Sequence, residues 1–413
     1  MSKFDFKPAS FVRLRTKGSI RLCVLILFLF VCSSFLANAN DFGIIIDQSA
    51  GFGAQEESNF DYTALIIPRY TTLLGDNGEL YISAGFSYEY INNNSAFIPE
   101  LLRTELNRLF DFGNLSAGRI YYSDPLGFIA NGLFDGARIS IFSETGKYSI
   151  GVWYTGFLYK KRANIAMNEE EIDSFALDLD FNNFAGTYFA PKRLIGALDW
   201  EHLSLGPFQA RASIIGQFDL DGSLHSQYIA CRITWPANSF SINLGGCLEL
   251  IQDNNIFGIA LAGEAGFSMP LPTQAQDKLS LYGRFSSAVF EESLMRAFLP
   301  ITTKSMGEIF NAKFSGVSCI ALNYSVVLNK SLSLGLNSSY FILSDTETFS
   351  GYPLLDGRDG YFLGNEFYGT VSWNPFSDLQ INFKGGAFLP SLGNAAPNAG
   401  VLWRLELNVV FGL

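Results

Sequence analysis

From about residue 42 onward the chain alternates apolar and polar side chains with a period of two, in some eighteen segments mostly ten to fourteen residues long. In Ser331–Leu343, Leu332, Leu334, Leu336, Tyr340 and Ile342 share one parity, and Ser331, Ser333, Gly335, Asn337 and Ser339 hold the other. In Val401–Leu413, Val401, Trp403, Leu405, Leu407, Val409, Phe411 and Leu413 oppose Arg404, Glu406 and Asn408. In Leu379–Leu389, Leu379, Ile381 and Phe383 oppose Gln380, Asn382 and Lys384. A β-strand sends successive side chains to opposite faces, so each segment reads as a strand with one apolar and one polar side. Ordinary globular strands run to about 5–6 residues, whereas a tilted strand crossing hydrocarbon needs about 9–11. The candidate strands lie near 42–52, 61–74, 79–91, 100–110, 114–122, 134–143, 147–159, 193–204, 208–218, 225–235, 239–251, 255–268, 278–289, 313–328, 331–343, 365–374, 379–389 and 400–413.

A soluble sandwich would show the same alternation, and the connections separate the two readings. Every second connection is mostly tight, as at 75–78, 144–146, 205–207, 236–238, 329–330 and 374–378. The intervening set holds all the very long segments, 160–192, 290–312 and 344–364. Short turns at one end and long loops at the other are the mark of an outer-membrane barrel, whose short side is periplasmic. Hydrocarbon cannot solvate backbone N–H and C=O groups, so the sheet has to close on itself. The expected fold is therefore all-β: a closed antiparallel transmembrane barrel of about eighteen strands, spanning residues 40–413 and set in outer-membrane lipid of a diderm bacterium. At that size strand side chains alone cannot fill the lumen, and a water-filled conduit narrowed by loops follows. The amphipathic last strand, ending Val410-Phe411-Gly412-Leu413, suits a substrate of the barrel-assembly machinery. The reading favours a monomer.

Charged residues make up only 16% of the chain, yet no apolar run long enough for a membrane helix occurs after the N-terminus. That N-terminus reads as a signal peptide over residues 1–39. Lys3, Lys7, Arg13, Arg15, Lys17 and Arg21 are basic, Leu22–Leu36 is apolar, and Ala37-Asn38-Ala39 supplies the small residues for cleavage. Six of the 28 Lys and Arg and one of the 39 Asp and Glu precede residue 40, which leaves 22 against 38 and a formal charge of −16. So acidic a chain has no global field for nucleic acid. Three cysteines remain, Cys231, Cys247 and Cys319, an odd number that makes no disulfide framework.

The alternation points Arg103, Glu105, Arg119, Arg138, Asp199, Glu201, Arg211, Arg232, Glu249, Glu264, Arg284, Lys384, Arg404 and Glu406 into the lumen. Eight of these are basic and six acidic, so the lumen is richer in base than the chain as a whole. Arg103, Arg119 and Arg138 each lie three or four residues below the long-loop end of adjacent strands, which predicts three guanidinium groups at one height. Such a ring favours anions; the competing reading pairs these arginines with Glu105, Asp135 or other lumen acids as wall structure. In the long loops, the acidic run of 160–192 (Glu169, Glu170, Glu171, Asp173, Asp178, Asp180) reads either as an inward-folded segment or as a solvated surface. Asp356-Gly357-Arg358-Asp359-Gly360 lacks the ligand spacing of a calcium loop, so neither metal nor cofactor is expected.

Gly118-Arg119-Ile120-Tyr121-Tyr122-Ser123-Asp124 and the returning Phe134-Asp135-Gly136-Ala137-Arg138-Ile139 resemble the alginate-export porin family. That family shows a Gly-Arg strand, a Tyr-Gly-Asp-like loop and a returning Phe-Asp-Gly/Ala-Val/Ala-Arg strand. Ser123 stands where glycine is usual, and Pro125 where a basic residue is expected. The resemblance implies an outer-membrane channel passing an anionic solute, a sugar acid or polysaccharide. Catalysis is not expected: His202 and His225 are the only histidines, His225 and Ser226 are adjacent and so face opposite ways, and no nucleophile elbow, zinc-protease helix or phosphate loop occurs. The alternative class is a surface-exposed structural or adhesive barrel acting through its long loops, with an outer-membrane hydrolase behind it.

Overall fold

The computed structural model describes residues 40–54, 58–91, 94–254, 256–273, 275–290, 294–344 and 360–413. The expected export signal at 1–39, and most of the Asp356–Gly360 loop, lie outside these residues.

Eighteen strands follow one another. They are β1 (Asn40–Ala54), β2 (Ser58–Leu73), β3 (Gly78–Ile91), β4 (Asn94–Phe110), β5 (Gly113–Ser123), β6 (Asn131–Ser143), β7 (Gly146–Tyr154), β8 (Arg193–Leu205) and β9 (Phe208–Asp219). The second half holds β10 (Leu224–Pro236), β11 (Ser241–Asp253), β12 (Ile256–Pro270), β13 (Gln276–Ser286), β14 (Val317–Asn329), β15 (Leu332–Leu343), β16 (Phe362–Phe376), β17 (Leu379–Leu389) and β18 (Leu402–Gly412). Each pairs antiparallel with its chain neighbours, and β18 returns to β1, with Ile45 opposite Gly412 and Ala54 opposite Trp403, so the barrel is closed. Every expected segment becomes a strand. The largest shifts are in β4, which begins at Asn94 rather than near 100, and β7, which stops at Tyr154 rather than 159. The extension of β4 contains Pro99, which has no N–H for a ladder and is tolerated on a strand with a partner on one side only.

The connections separate as their lengths suggest. Tight links join β2 to β3, β6 to β7 and β8 to β9 at one end, with Gly75 (φ +69°) and Gly206 (φ +61°) taking the left-handed conformation that such turns require. The connections 124–130, 155–192, 287–316 and 390–401 lie at the other end. Leu336, Phe383, Leu405 and Leu407 stand exposed on the outer face. Asn382 instead bonds Asn408 inside the wall at 3.1 Å, and Lys384 pairs with Glu406 at 2.9 Å. Placing Leu407→Arg midway along β18 should cost about 2–4 kcal/mol of folding into lipid; urea titration in vesicles measures it, and a loss near zero would mean that this face does not meet hydrocarbon.

A side-chain pair also ties the last strand to the second across the first. Arg404 of β18 forms two 2.8 Å bonds with Asp61 of β2, reaching across β1. Gly51 makes this crossing feasible, because a Cβ there would collide with the Arg404 guanidinium and the Asp61 carboxylate.

The hydrophobic core lies inside the barrel. Phe298, Ile301, Ile309, Phe310 and Phe314, from the β13–β14 connection, are buried against Phe128 and Ile129 of the β5–β6 connection and Phe341 and Phe388 of the wall. Phe310 stacks on Phe388 with ring centroids 4.3 Å apart, and Phe128 meets Phe314 at 4.5 Å. The segments also bond to one another: Thr302 N–H donates to Ile129 C=O at 3.1 Å, and Thr303 N–H to Asn164 C=O at 2.7 Å. The acidic run of 155–192 is partly drawn inward too. Asn168 caps the short helix Glu169–Ala176 by accepting from Glu171 N–H at 2.9 Å. That cap turns Glu171 toward the wall, where Arg193 binds it, while Glu169 and Glu170 stay in solvent.

Candidate functional site

Directly opposed residues of an antiparallel ladder share a face. One rung runs unbroken on the lumen face from β7 to β14. Lys147 opposes Glu201, Glu201 opposes Arg211, and Arg211 opposes Arg232. Arg232 then opposes Gly245, Gly245 opposes Glu264, Glu264 opposes Arg284, and Arg284 opposes Cys319. Barrel strands tilt by about 35–45°, so a rung perpendicular to them climbs the wall. Lys147 is the second residue of β7, beside a tight turn, whereas Arg284 lies near the long-loop end of β13. Four cations and two carboxylates are thus strung along the length of the lumen.

The rung contains a juxtaposition that stability alone disfavours, the like charges of Arg211 and Arg232 directly across from each other. Glu201 holds Arg211 at 2.5 Å. Glu264 stands 3.4 Å from Arg232 Nε and 3.5 Å from Arg284 Nε, longer than a charge-assisted hydrogen bond. The pairs on this side are loose, and guanidinium donors remain for another acceptor. A cleft at the lower part of the rung is lined by Tyr122, Arg138, Lys147, Asp199, Glu201 and Arg211.

The inward segments constrict the lumen against this rung. Gly245 leaves a gap in the wall that Leu126 of the β5–β6 connection enters, and a Cβ at 245 would collide with it. Arg232 Nη1 lies 3.5 Å from Pro125 C=O, and Lys304 Nζ lies 3.4 Å from Gly127 C=O. Burial, with Arg284 nearby, pushes the Lys304 amine below the usual lysine range. Three carboxylates fix the segments by accepting from backbone amides. Asp124 accepts from Leu126, Gly127, Ile129 and Ala130 at 2.8–3.0 Å. Burial pushes its carboxyl above the usual range against the pull of those four amides. Glu366 accepts from Glu308, Ile309 and Phe310 at 2.8–2.9 Å. Glu249 accepts from Leu299 N–H at 2.8 Å, while Tyr228 donates to the Leu299 carbonyl at 2.6 Å.

Of the residues expected in the lumen, Arg103, Glu105, Arg138, Asp199, Glu201, Arg211, Arg284, Lys384, Arg404 and Glu406 stand on the inward parity. Several are engaged: Arg103 with Glu105 at 2.6 Å, Lys384 with Glu406, Arg404 with Asp61, and Asp199 accepting from Tyr122 at 3.1 Å. Arg119 is a correction. It opposes Thr104 and Asp135, one position from the inward Glu105–Gly118 pair, and therefore lies on the outward parity. It is 5% exposed and forms two 2.8 Å bonds with Asp135. The three-arginine ring is corrected with it, since Arg138 opposes Ser116, three residues along β5 from Arg119. Simple alternation missed this because the inward residues beside Arg119 on β5, Ile120 and Tyr122, are apolar and buried in the interior core, so polarity does not mark the lumen side there. Sequence reasoning also missed Lys147, which shares the inward parity of Ser149, and Lys304, Asp124 and Glu366, which act through loop packing. The three cysteines are free, Cys231 exposed on the outer face and the other two buried. Among the described residues no cluster of three or more His, Cys, Asp or Glu could hold a metal.

In sequence, no family model matches the chain and no curated protein is similar to it at a significant level. Solved structures are similar in fold. OccK2 (OpdF) of Pseudomonas aeruginosa superposes with a TM-score of 0.62 at 11% identity, over 91% of this chain and 97% of that one. A second structure of OccK2, in complex with glucuronate, gives a TM-score of 0.61 at 11% identity, over 91% and 96%. The outer membrane protein OprD from the same organism gives 0.57 at 12% identity, over 92% and 95%, and OccAB4 of Acinetobacter baumannii 0.59 at 8%, over 92% and 99%. The chain thus shares, over nine-tenths of its length, the closed antiparallel barrel fold of these outer-membrane proteins.

Proposed function

We propose that this chain is an outer-membrane channel for the passive passage of small hydrophilic anions, with single sugar acids as the substrate class. The observation that carries the reading is the charged rung, Lys147–Glu201–Arg211–Arg232–Glu264–Arg284, climbing the lumen and meeting Lys304 where the inward segments narrow the passage. Guanidinium forks match carboxylates in a two-bond geometry. Loosely held arginines can exchange Glu264 for a solute carboxylate, and release it as readily, which conduction requires. The resemblance to alginate exporters and the glucuronate bound to OccK2 both concern uronic acids. The packed interior favours a single sugar acid over a polymer, since a chain of linked sugars would have to thread past the aromatic cluster.

Reversal potentials in asymmetric KCl test this. The wild type should prefer chloride, and the Arg232→Gln/Arg284→Gln/Lys304→Gln variant should lose most of that preference. A lowered pKa means that Lys304 sheds its charge at a lower pH than an ordinary lysine as pH rises. Anion preference should therefore begin to fall below the usual lysine range, and that step should be missing in Lys304→Gln. Cation preference in the wild type, or an unchanged triple variant, would rule the reading out.

A further inference from the structure

The ladder between β4 and β5 is incomplete. It runs from Phe110 opposite Gly113 up to Thr104 opposite Arg119 and stops, while β4 continues to Asn94. Among the described residues, 94–103 pair only with β3. An unpaired strand edge in a membrane wall must be satisfied from elsewhere. Here the side chain of Arg119 satisfies one carbonyl of the edge: Nη1 donates to Leu101 C=O, Nη2 bridges to Phe157 C=O at 3.1 Å, and the guanidinium is held by Asp135 of β6. Tyr188 adds one bond, donating to Pro99 C=O at 2.8 Å. One guanidinium thus joins β4, β5, β6 and the 155–192 connection.

The surfaces on both sides of this seam are apolar. On the outside, Phe97, Leu101 and Tyr121 are exposed, and Phe157 is 62% exposed, continuous with the outer face of the barrel. On the inside, Ile98, Tyr159 and Tyr188 are buried together with Ala96, Leu179, Phe184 and Phe189 packed on them. A passage for water-soluble solutes would not be lined this way. A hydrocarbon chain fits the outer side; to pass inward it would displace the clasp of Arg119 and Asp135, the Tyr188–Pro99 bond and the Arg162–Glu100 ion pair (3.1 Å) at the inner rim.

We propose that the seam above Thr104 and Arg119 is a lateral port onto the outer leaflet, closed by the Arg119 clasp, and that the acyl chain of a membrane lipid occupies its outer face. The proposal rests on the outer-membrane reading but not on anion selectivity. The test uses the full chain refolded in phosphatidylcholine vesicles carrying a phosphatidylcholine with a diazirine on its acyl chain; labelled residues are mapped by mass spectrometry. In the wild type, Phe383 and Leu405 of the outer belt should be labelled together with Leu101 and Phe157, while Ile98 and Tyr188 stay unlabelled. In Arg119→Gln, Ile98 and Tyr188 should become labelled at least several-fold over wild type, and Asp135→Asn, which keeps the shape of the pair, should give a smaller rise. Heat-modifiable migration on gels reports that each variant is folded. An unlabelled belt would overturn the membrane reading and the port together. A labelled belt with unlabelled Leu101 and Phe157 would overturn the lipid site alone. Interior labelling unchanged in both folded variants would show a sealed wall and overturn the port.

Discussion

Excising residues 297–313 and bridging the gap with a short glycine-serine linker should raise single-channel conductance at least about threefold, because an eighteen-stranded barrel without inward segments encloses an open aqueous lumen. The excision removes Phe298, Ile301, Ile309 and Phe310, which fill the interior, and Lys304, the cation of the narrow part. Anion preference should fall as conductance rises, since a wider passage lets bulk water screen the rung. Glu249 and Glu366 lose their amide partners but gain water. The barrel should therefore still fold, since this segment contributes no strand to the closed ring of eighteen. Planar-bilayer recordings decide the matter. Conductance equal to wild type would mean that ions do not pass beside this segment.

Arg193→Leu should destabilise the folded chain by about 3–5 kcal/mol, the range for removing one partner from a buried ionic network. Arg193 is 0% exposed. Its Nε bonds Glu171 at 3.0 Å, its Nη2 lies 2.5 Å from Glu171 and 3.2 Å from Asp219, and its Nη1 lies 3.4 Å from Leu224 C=O. Without it two carboxylates are left in a closed space with no counter-charge. A triple replacement, Arg193→Leu with Glu171→Leu and Asp219→Leu, should recover much of the loss, because no uncompensated charge remains. Urea unfolding in vesicles measures both. A single variant within about 0.5 kcal/mol of wild type, the scatter of surface substitutions, would show that the network does not hold the 155–192 connection to the wall.

The barrel itself was legible because its physics is periodic. Alternation in segments such as Leu379–Leu389 and Leu402–Gly412 follows from a closed wall with exposed apolar residues outside and polar contacts inside. The parity of connection lengths is imposed by antiparallel closure. The interior was not legible because it is not periodic. Phe298, Phe310 and Phe314 sit in a connection without strand or helix spacing, and their burial depends on meeting Phe128, Phe341 and Phe388 from distant parts of the chain. The lumen charges fall between these cases. Parity assigned Arg211, Arg284 and Arg404 to the inside, but which of them oppose one another is a matter of register. Arg119 shows the limit: where the inward side of β5 is apolar (Ile120, Tyr122) and the ladder to β4 stops, an arginine on the outer parity takes a structural task.

The crossing of β1 by Arg404 and Asp61 bears on how such a chain finds its final ring. The last junction to form joins strands more than three hundred residues apart, and there the hydrophobic pattern is a weak guide. A slip of one residue between β18 and β1 would turn the apolar side inward and be rejected. A slip of two keeps every side chain on its proper side of the wall, so greasy and polar faces cannot tell it from the native match. The arginine–aspartate pair can, because it needs the side-chain-free position of Gly51 between its partners. Displaced by two, Ser49 would stand in the way on one side. The glycine therefore serves as a keyway, and the ion pair as the key that rejects the slip bringing Ser49 between the two chain ends.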